Sequence, residues 1–303
     1  MNTKQLQYVL TLARTGSFSK AADTLGISQP SLSQYIKKIE QELAVTLFER
    51  GAGAVRLTDA GHAFVRAGEQ ILCIERDMER ALRDVAEAQS GTLTVGVAPY
   101  RSASLMPQLA ARFKQIYPGI CLVADERGSN ELLEGAERGE LELAIVPMPV
   151  NEKLFCTEEI LEEELVLAVP SALASQLHPE RMAKRKYPAV DVCELNGLPF
   201  CMITQNQIMQ KNLDDLCRTY DLVLHSAVVV RSLEAQIAMV GAGLGAALVP
   251  EGIECFGTAG ITYFSLKQAL PRRKIAAIYR KDRPLSRVAR AFVDMMKETI
   301  GGQ

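Results

Sequence analysis

Gln29, Pro30, Ser31, Ser33, Gln34 and Lys37 follow one another at spacings that a helix would fan across one side. Their chemistry is recognition rather than catalysis. A glutamine amide can pair bidentately with an adenine edge, a serine hydroxyl can meet either a donor or an acceptor, and a lysine ammonium neutralises phosphate. In the same stretch Leu32, Ile36, Ile39 and Leu43 recur at helical period and form an apolar stripe. Pro30, Gln34, Lys37 and Gln41 point away from that stripe, with Gln29 and Ser33 on its shoulder. On an isolated bundle helix such a polar face is ordinarily just solvated, so the preceding residues decide its meaning.

Those residues form a second, shorter helix and a tight turn. Phe18, Ala21, Ala22 and Leu25 make an apolar stripe whose small alanines permit close approach of another helix. Gly26 can stop the helix in the left-handed region, Ile27 plugs the turn, and Ser28 is suited to cap the next helix, with Pro30 tolerated in its first turn. A helix, a tight turn and a helix with a Gln/Ser/Lys face suit a DNA major groove.

Residues 1–61 resemble the winged helix-turn-helix of LysR-type transcriptional regulators. The likeness is carried by Ala21-Ala22, Ser28-Gln29-Pro30-Ser31-Leu32-Ser33, Ile39-Glu40 followed by Leu43, Leu47-Phe48-Glu49-Arg50, and Leu57-Thr58-Asp59-Ala60-Gly61. It implies that Gln29, Pro30, Ser33, Gln34 and Lys37 face bases or nearby phosphates, with Ser31 in the same helix opening and Arg50 and Arg56 flanking the wing. The family's wing usually carries further basic residues. Here Gly51-Ala52-Gly53-Ala54 is uncharged, which predicts fewer phosphate contacts and a shallower salt dependence.

Charge is distributed in the same sense. Residues 1–58 hold seven Lys/Arg against four Asp/Glu, whereas the whole 303-residue chain has a net charge of −2. A basic end on an acidic body fits one end meeting a polyanion. The N-terminus has no basic stretch leading into an apolar run, and no run of about 18 uncharged apolar residues occurs. Seven cysteines at irregular spacing, without a CxxC and beside three histidines, fit neither a disulfide framework nor a zinc site. The expectation is a cytoplasmic protein with no membrane segment, metal, cofactor or catalytic residue. No GxSxG or P-loop occurs, and a transport binding protein would lack the DNA-binding end.

Between 59 and 89 runs one long helical pattern. Phe64, Ile71, Met78 and Val85 recur every seven residues, with Ala60, Ala67, Ile74, Ala81 and Ala88 three or four residues away. That is an a/d seam, and residues 60–88 would span about 43 Å. Phe64, Ile71, Ile74, Met78 and Val85 are therefore the expected dimerisation residues; Leu72 and Leu82, off the seam, cover a second surface. A dimer would hold two recognition helices at fixed spacing. The resemblance implies such a linker-helix homodimer, assembled further into a homotetramer.

From Gly91 onward, apolar strand-like runs alternate with amphipathic helices, the pattern of an α/β domain with a largely parallel sheet. The expected fold class is thus α+β and multi-domain. A winged helix-turn-helix occupies 1–58, a linker helix 59–89, and a two-lobed α/β domain 91–303, which the resemblance implies is like periplasmic binding proteins. Lobe I covers about 91–162 and 269–303, and lobe II about 163–268.

Ligands of open α/β domains sit beyond strand carboxyl ends, against helix N-termini. That places Tyr100, Arg101 and Ser102, then Ser129, then Thr204 and Gln205, then Arg231 and Ser232, at a candidate effector site. Ser129 and Thr204 match the ligand-contacting hydroxyls that the resemblance implies, and Arg101 and Arg231 favour an anionic effector such as a carboxylate. Each Ser or Thr alone would read as a helix cap. Gly241-Ala242-Gly243-Leu244-Gly245-Ala246 imitates a dinucleotide fingerprint but lies between a helix and a strand, the reverse of the required order. The rival reading is a redox-sensing regulator using Cys201 and Cys217, with Cys193 nearby. The expected partners are double-stranded DNA, a small-molecule effector, further copies of the chain and RNA polymerase.

Overall fold

A computed structural model describes residues 2–50, 55–85, 90–183, 185–204, 208–257, 259–268 and 270–300. The wing residues 51–54 and Gln205 lie outside these, as do the side chains of Arg50 and Val85. The chain divides into two compact units: Met1–Ala88 with Glu137–Glu140, and Gln89–Ala136 with Leu141–Gln303.

The first unit starts with three helices, α1 (Thr3–Thr15), α2 (Phe18–Leu25) and α3 (Gln29–Leu43). Asn2 opens α1 with a reciprocal capping box to Gln5, and the Ser28 hydroxyl accepts from the Ser31 amide to open α3. Leu12, Ala21, Leu32 and Ile36 are wholly buried in the core that these helices share. Leu43, expected on the same stripe, is 39% exposed because α3 ends there. A two-stranded antiparallel wing follows, β1 (Phe48–Arg50) and β2 (Val55–Leu57). Glu40 ties it to α3, its Oε1 accepting from the amides of Leu47 at 2.7 Å and Phe48 at 3.1 Å.

The long helix α4 (Asp59–Val85) starts on Thr58, whose hydroxyl accepts from the Gly61 amide at 3.0 Å and donates to the Thr46 carbonyl at 2.7 Å. Gly61 is needed there because a Cβ would stand 2.1 Å from the Leu47 carbonyl oxygen. The Thr58-Asp59-Ala60-Gly61 motif is therefore a joint between wing and helix.

The second unit builds two sheets. In chain order its first half runs β3 (Gly91–Val97), α5 (Pro99–Ile116), β4 (Ile120–Glu126), α6 (Ser129–Glu137), β5 (Leu143–Pro147) and β6 (Phe155–Glu163). There follow β7 (Leu165–Pro170), α7 (Ser171–Ala174), β8 (Ala189–Val190), β9 (Pro199–Ile203), α8 (Ile208–Tyr220) and β10 (His225–Val230). The chain closes with α9 (Leu233–Gly241), β11 (Ala247–Pro250), β12 (Ile261–Leu266), β13 (Arg273–Arg280) and α10 (Arg287–Ile300).

The first sheet has the order β4-β3-β5-β13-β6, with β3, β4 and β5 parallel and β13 antiparallel to both its neighbours. Helices α5 and α10 cover it, with Phe113 meeting Phe292 edge-on at 5.4 Å. The second sheet, β11-β7-β12-β8, is mostly antiparallel, and a parallel β9–β10 pair joins it through the Phe200–Ala246 bridge. The largely parallel expectation is thus met only by β3, β4 and β5 and by short pairs, because β13 runs antiparallel to β5 and β6, and β7 runs antiparallel to β11 and β12. The chain leaves the first sheet after Glu163 and returns to it at Arg273, so the first lobe is built from discontinuous sequence and the second from the single stretch between those residues. The glycine-rich 241–246 stretch is a tight connection from α9 to β11. Gly245 lets it pass so close to β9 that a Cβ would lie 2.6 Å from the Pro199 carbonyl oxygen.

Strand β6 was not expected from the sequence. It carries Glu158, Glu159, Glu162 and Glu163, and its charge is matched by remote cations. Lys297 and Arg290 with the Tyr279 hydroxyl hold Glu158, Lys274 holds Glu159 and Glu162, and Arg101 holds Glu163. Although burial pushes the Glu158 carboxyl up, those hydrogen bonds outweigh it and hold its pKa at about 2.

Candidate nucleic-acid interface and effector cleft

The polar face of α3 is presented as its periodicity requires. Gln29, Pro30, Gln34 and Lys37 are exposed, and Ser31 and Ser33 are half-buried at its edge. Ser31 is engaged at the cap, its hydroxyl 2.7 Å from that of Ser28. Arg56 is exposed on β2. Tyr35, absent from the expected set, is 45% exposed on α3 and packs 5.0 Å from the Tyr8 ring. A stable core therefore holds out a short row of amides, hydroxyls and an ammonium, the donor and acceptor set that reads base edges and phosphates.

Along α4 the apolar side chains divide. Phe64 and Ala60 pack against the core of the first unit, so the start of the heptad pattern serves that core. Further on, Ile71, Ile74 (64%), Met78 (56%) and Leu82 are exposed. Among the described residues, no helix is long and apolar enough to cross a membrane.

Between the lobes of the second unit lies a cavity of about 200 Å³. Tyr100, Arg101, Ser129, Arg231 and Ser232 of the expected set line it. Residues 99–104, which hold the expected Tyr100, Arg101 and Ser102, form the beginning of α5. Pro99 starts that helix at once, its fixed φ and missing N–H costing nothing in a first turn. That turn carries Ser102 away from Tyr100 and Arg101, into a separate groove along α5 with Met106, Leu122 and Phe256. Thr204 does not line the cavity; its amide donates to the Val230 carbonyl at 3.0 Å. The Ser232 hydroxyl caps α9, accepting from the Ala235 amide at 3.2 Å.

Charge in the cleft is organised by a residue that the sequence did not single out. Glu163, 3% exposed, accepts from Arg101, 6% exposed, at 2.7 and 2.8 Å. A second guanidinium, Arg273, stands 3.3 Å from the same carboxylate and also lines the cavity. Arg101 stacks 4.8 Å over the Tyr100 ring, whose hydroxyl donates to the Glu251 carbonyl at 2.9 Å. Burial pushes the Tyr100 phenol well above its ordinary range, so it stays protonated. Apolar walls come from Ile145, Ile208, Met209, Leu233 and Ile275.

None of the seven cysteines forms a disulfide. Burial pushes the thiols of Cys201, Cys217 and Cys255 up, and a hydrogen bond from Cys193 to Asp191 does the same there. Reactive thiolates need the opposite shift.

Comparison with known proteins agrees with both halves of this geometry. Residues 3–62 match the family model of the bacterial regulatory helix-turn-helix protein, lysR family, and residues 86–301 match that of the LysR substrate binding domain. An uncharacterized HTH-type transcriptional regulator of Bacillus subtilis, YwbI, is 31% identical over 99% of this chain and 97% of its own length. The hydrogen peroxide-inducible genes activator of Haemophilus influenzae is 29% identical over 100% of this chain and 99% of its own. Among solved structures, a full-length OxyR variant from Pseudomonas aeruginosa superposes with a TM-score of 0.68 at 26% identity, covering 98% of this chain and 95% of that one. Full-length CbnR in complex with its target DNA superposes with a TM-score of 0.67 at 21% identity, covering 99% and 100%.

Proposed function

The chain belongs to the LysR family of bacterial transcriptional regulators, and on that premise we propose how its two functional surfaces work. The exposed α3 face reads operator DNA, and a small anion in the cleft sets the outcome. The observation that carries the first part is the Gln29/Gln34/Lys37 row, held outward by a buried Leu32/Ile36/Ile39 stripe directly after a capped turn. Gln29, Gln34 and Ser33 are the base readers, Lys37 and Arg56 the phosphate contacts, and Pro30 and Ser31 shape the helix opening. No enzymatic step is part of this reading, and its setting is the cytoplasm, where DNA is.

The exposed Ile71, Ile74 and Met78 support a dimer through α4, and two such dimers would form the tetramer. Anion binding between the lobes would favour one lobe arrangement and thereby one spacing or bend between DNA half-sites. RNA polymerase would then meet a differently presented complex.

Fluorescence anisotropy against salt tests the DNA face. Lys37→Ala should weaken binding to all duplexes alike and lower the slope of log K against log salt by about 0.9, the loss of one phosphate contact. An unchanged slope would remove Lys37 from the interface.

A further inference from the structure

We infer that Arg273 is the specificity-determining residue of the cleft and that the effector is a small monocarboxylate with an apolar body. This rests on the cleft being the effector site, as proposed above. Arg273 opens β13, just where the chain re-enters the first lobe, and its side chain is 16% exposed. Arg101 already takes the Glu163 carboxylate with its two shorter hydrogen bonds, leaving Arg273 at 3.3 Å. Among the described residues the guanidinium's other hydrogen bond runs from its NH1 to the Met209 sulfur at 2.9 Å, a weak acceptor.

The buried Arg101 and the largely buried Arg273 thus share one buried carboxylate, so among the described residues one positive charge of this trio lacks a matching anion. A buried charge in that state is costly, and burial correspondingly pulls the Arg273 pKa down. A carboxylate beside Arg273 would complete the set with paired N–H···O bonds. The first turn of α5 has no side-chain cap and offers N–H groups to the same anion.

Size and valence follow from the rest of the wall. Arg231 and Glu234, near the start of α9, carry opposite charges, so the surplus is a single positive charge. A dianion would exceed it and meet Glu234. The apolar side chains of Ile145, Ile208, Met209, Leu233 and Ile275 suit a hydrocarbon body, and about 200 Å³ is below the ~300–1,000 Å³ typical of drug-sized ligands.

The test is thermal stability and equilibrium titration of the full-length protein with pentanoate, pentanamide, glutarate and inorganic phosphate. Pentanoate should stabilise and bind, and pentanamide, similar in shape but uncharged, should not; glutarate and phosphate should bind more weakly. Arg273→Met should weaken pentanoate roughly tenfold to a hundredfold, the loss of a charge-assisted pair, and Arg273→Lys, which keeps the charge but not the fork, should fall between. Wild-type affinity in Arg273→Met, equal binding of pentanamide, or no binding of any probe would overturn the inference. Binding that is independent of Arg273 but lost in Ile208→Trp would overturn the role of Arg273 and leave the cleft as the effector site. Binding that survives Ile208→Trp would instead remove the cleft from that role.

Discussion

Glu163→Gln is expected to cost the second unit about 3–5 kcal/mol of stability, measured by urea unfolding of the purified protein. The substitution nearly preserves shape and volume, so packing loss is not the cause. What changes is charge. Arg101 would keep its buried position without the carboxylate that its NH2 holds at 2.7 and 2.8 Å, and Arg273 would lose the same group at 3.3 Å. Glu298→Gln is the control. It removes an ion pair of the same length, 2.7 Å to Arg112, but with side chains 42% and 66% exposed. Water and salt screen that pair, so the expected cost is about 0–1 kcal/mol. Equal effects of the two variants would mean that the Arg101–Glu163 pair is not desolvated in solution.

Ile74→Glu/Met78→Glu is expected to weaken operator binding by roughly 10²–10⁴-fold while leaving the fold intact. Both side chains are more than half exposed, so neither contributes much to the chain's own core. If α4 pairs with a second copy along this seam, four carboxylates are brought together across it, and the pair cannot form. Each recognition helix then binds its half-site alone and loses the gain of intramolecular second binding, which sets the expected range. Sedimentation and anisotropy on a two-half-site duplex measure both consequences. An unchanged assembly with unchanged affinity would place dimerisation elsewhere.

How far the sequence could lead depends on the range of the interactions involved. The helix-turn-helix was legible because its signals are local: the Leu32/Ile36/Ile39 period, the Ser28 cap and the stop at Gly26 all fall within one short stretch. The exposed apolar row of Ile71, Ile74 and Met78 was legible for the same reason, although periodicity alone could not tell that Phe64 serves the neighbouring core. Ser102 was misplaced because α5 already starts at Pro99, and its first turn separates Ser102 from Arg101. Strand β6 was hidden by its four glutamates, whose partners lie on α5, β13 and α10. Arg273 and Met209 were out of reach altogether. They meet only because the chain crosses between lobes twice, and no local spacing records that.

Selection from random-sequence duplexes by the full-length protein tests most directly whether the α3 face reads bases. The wild type should enrich a dyad-symmetric site with half-sites set at a helical repeat. Gln34→Ala should enrich the same site with one position in each half relaxed, a loss of about 1–3 kcal/mol of discrimination there. Recovery by Gln29→Ala/Gln34→Ala of the full wild-type site, with every positional preference intact, would contradict the account.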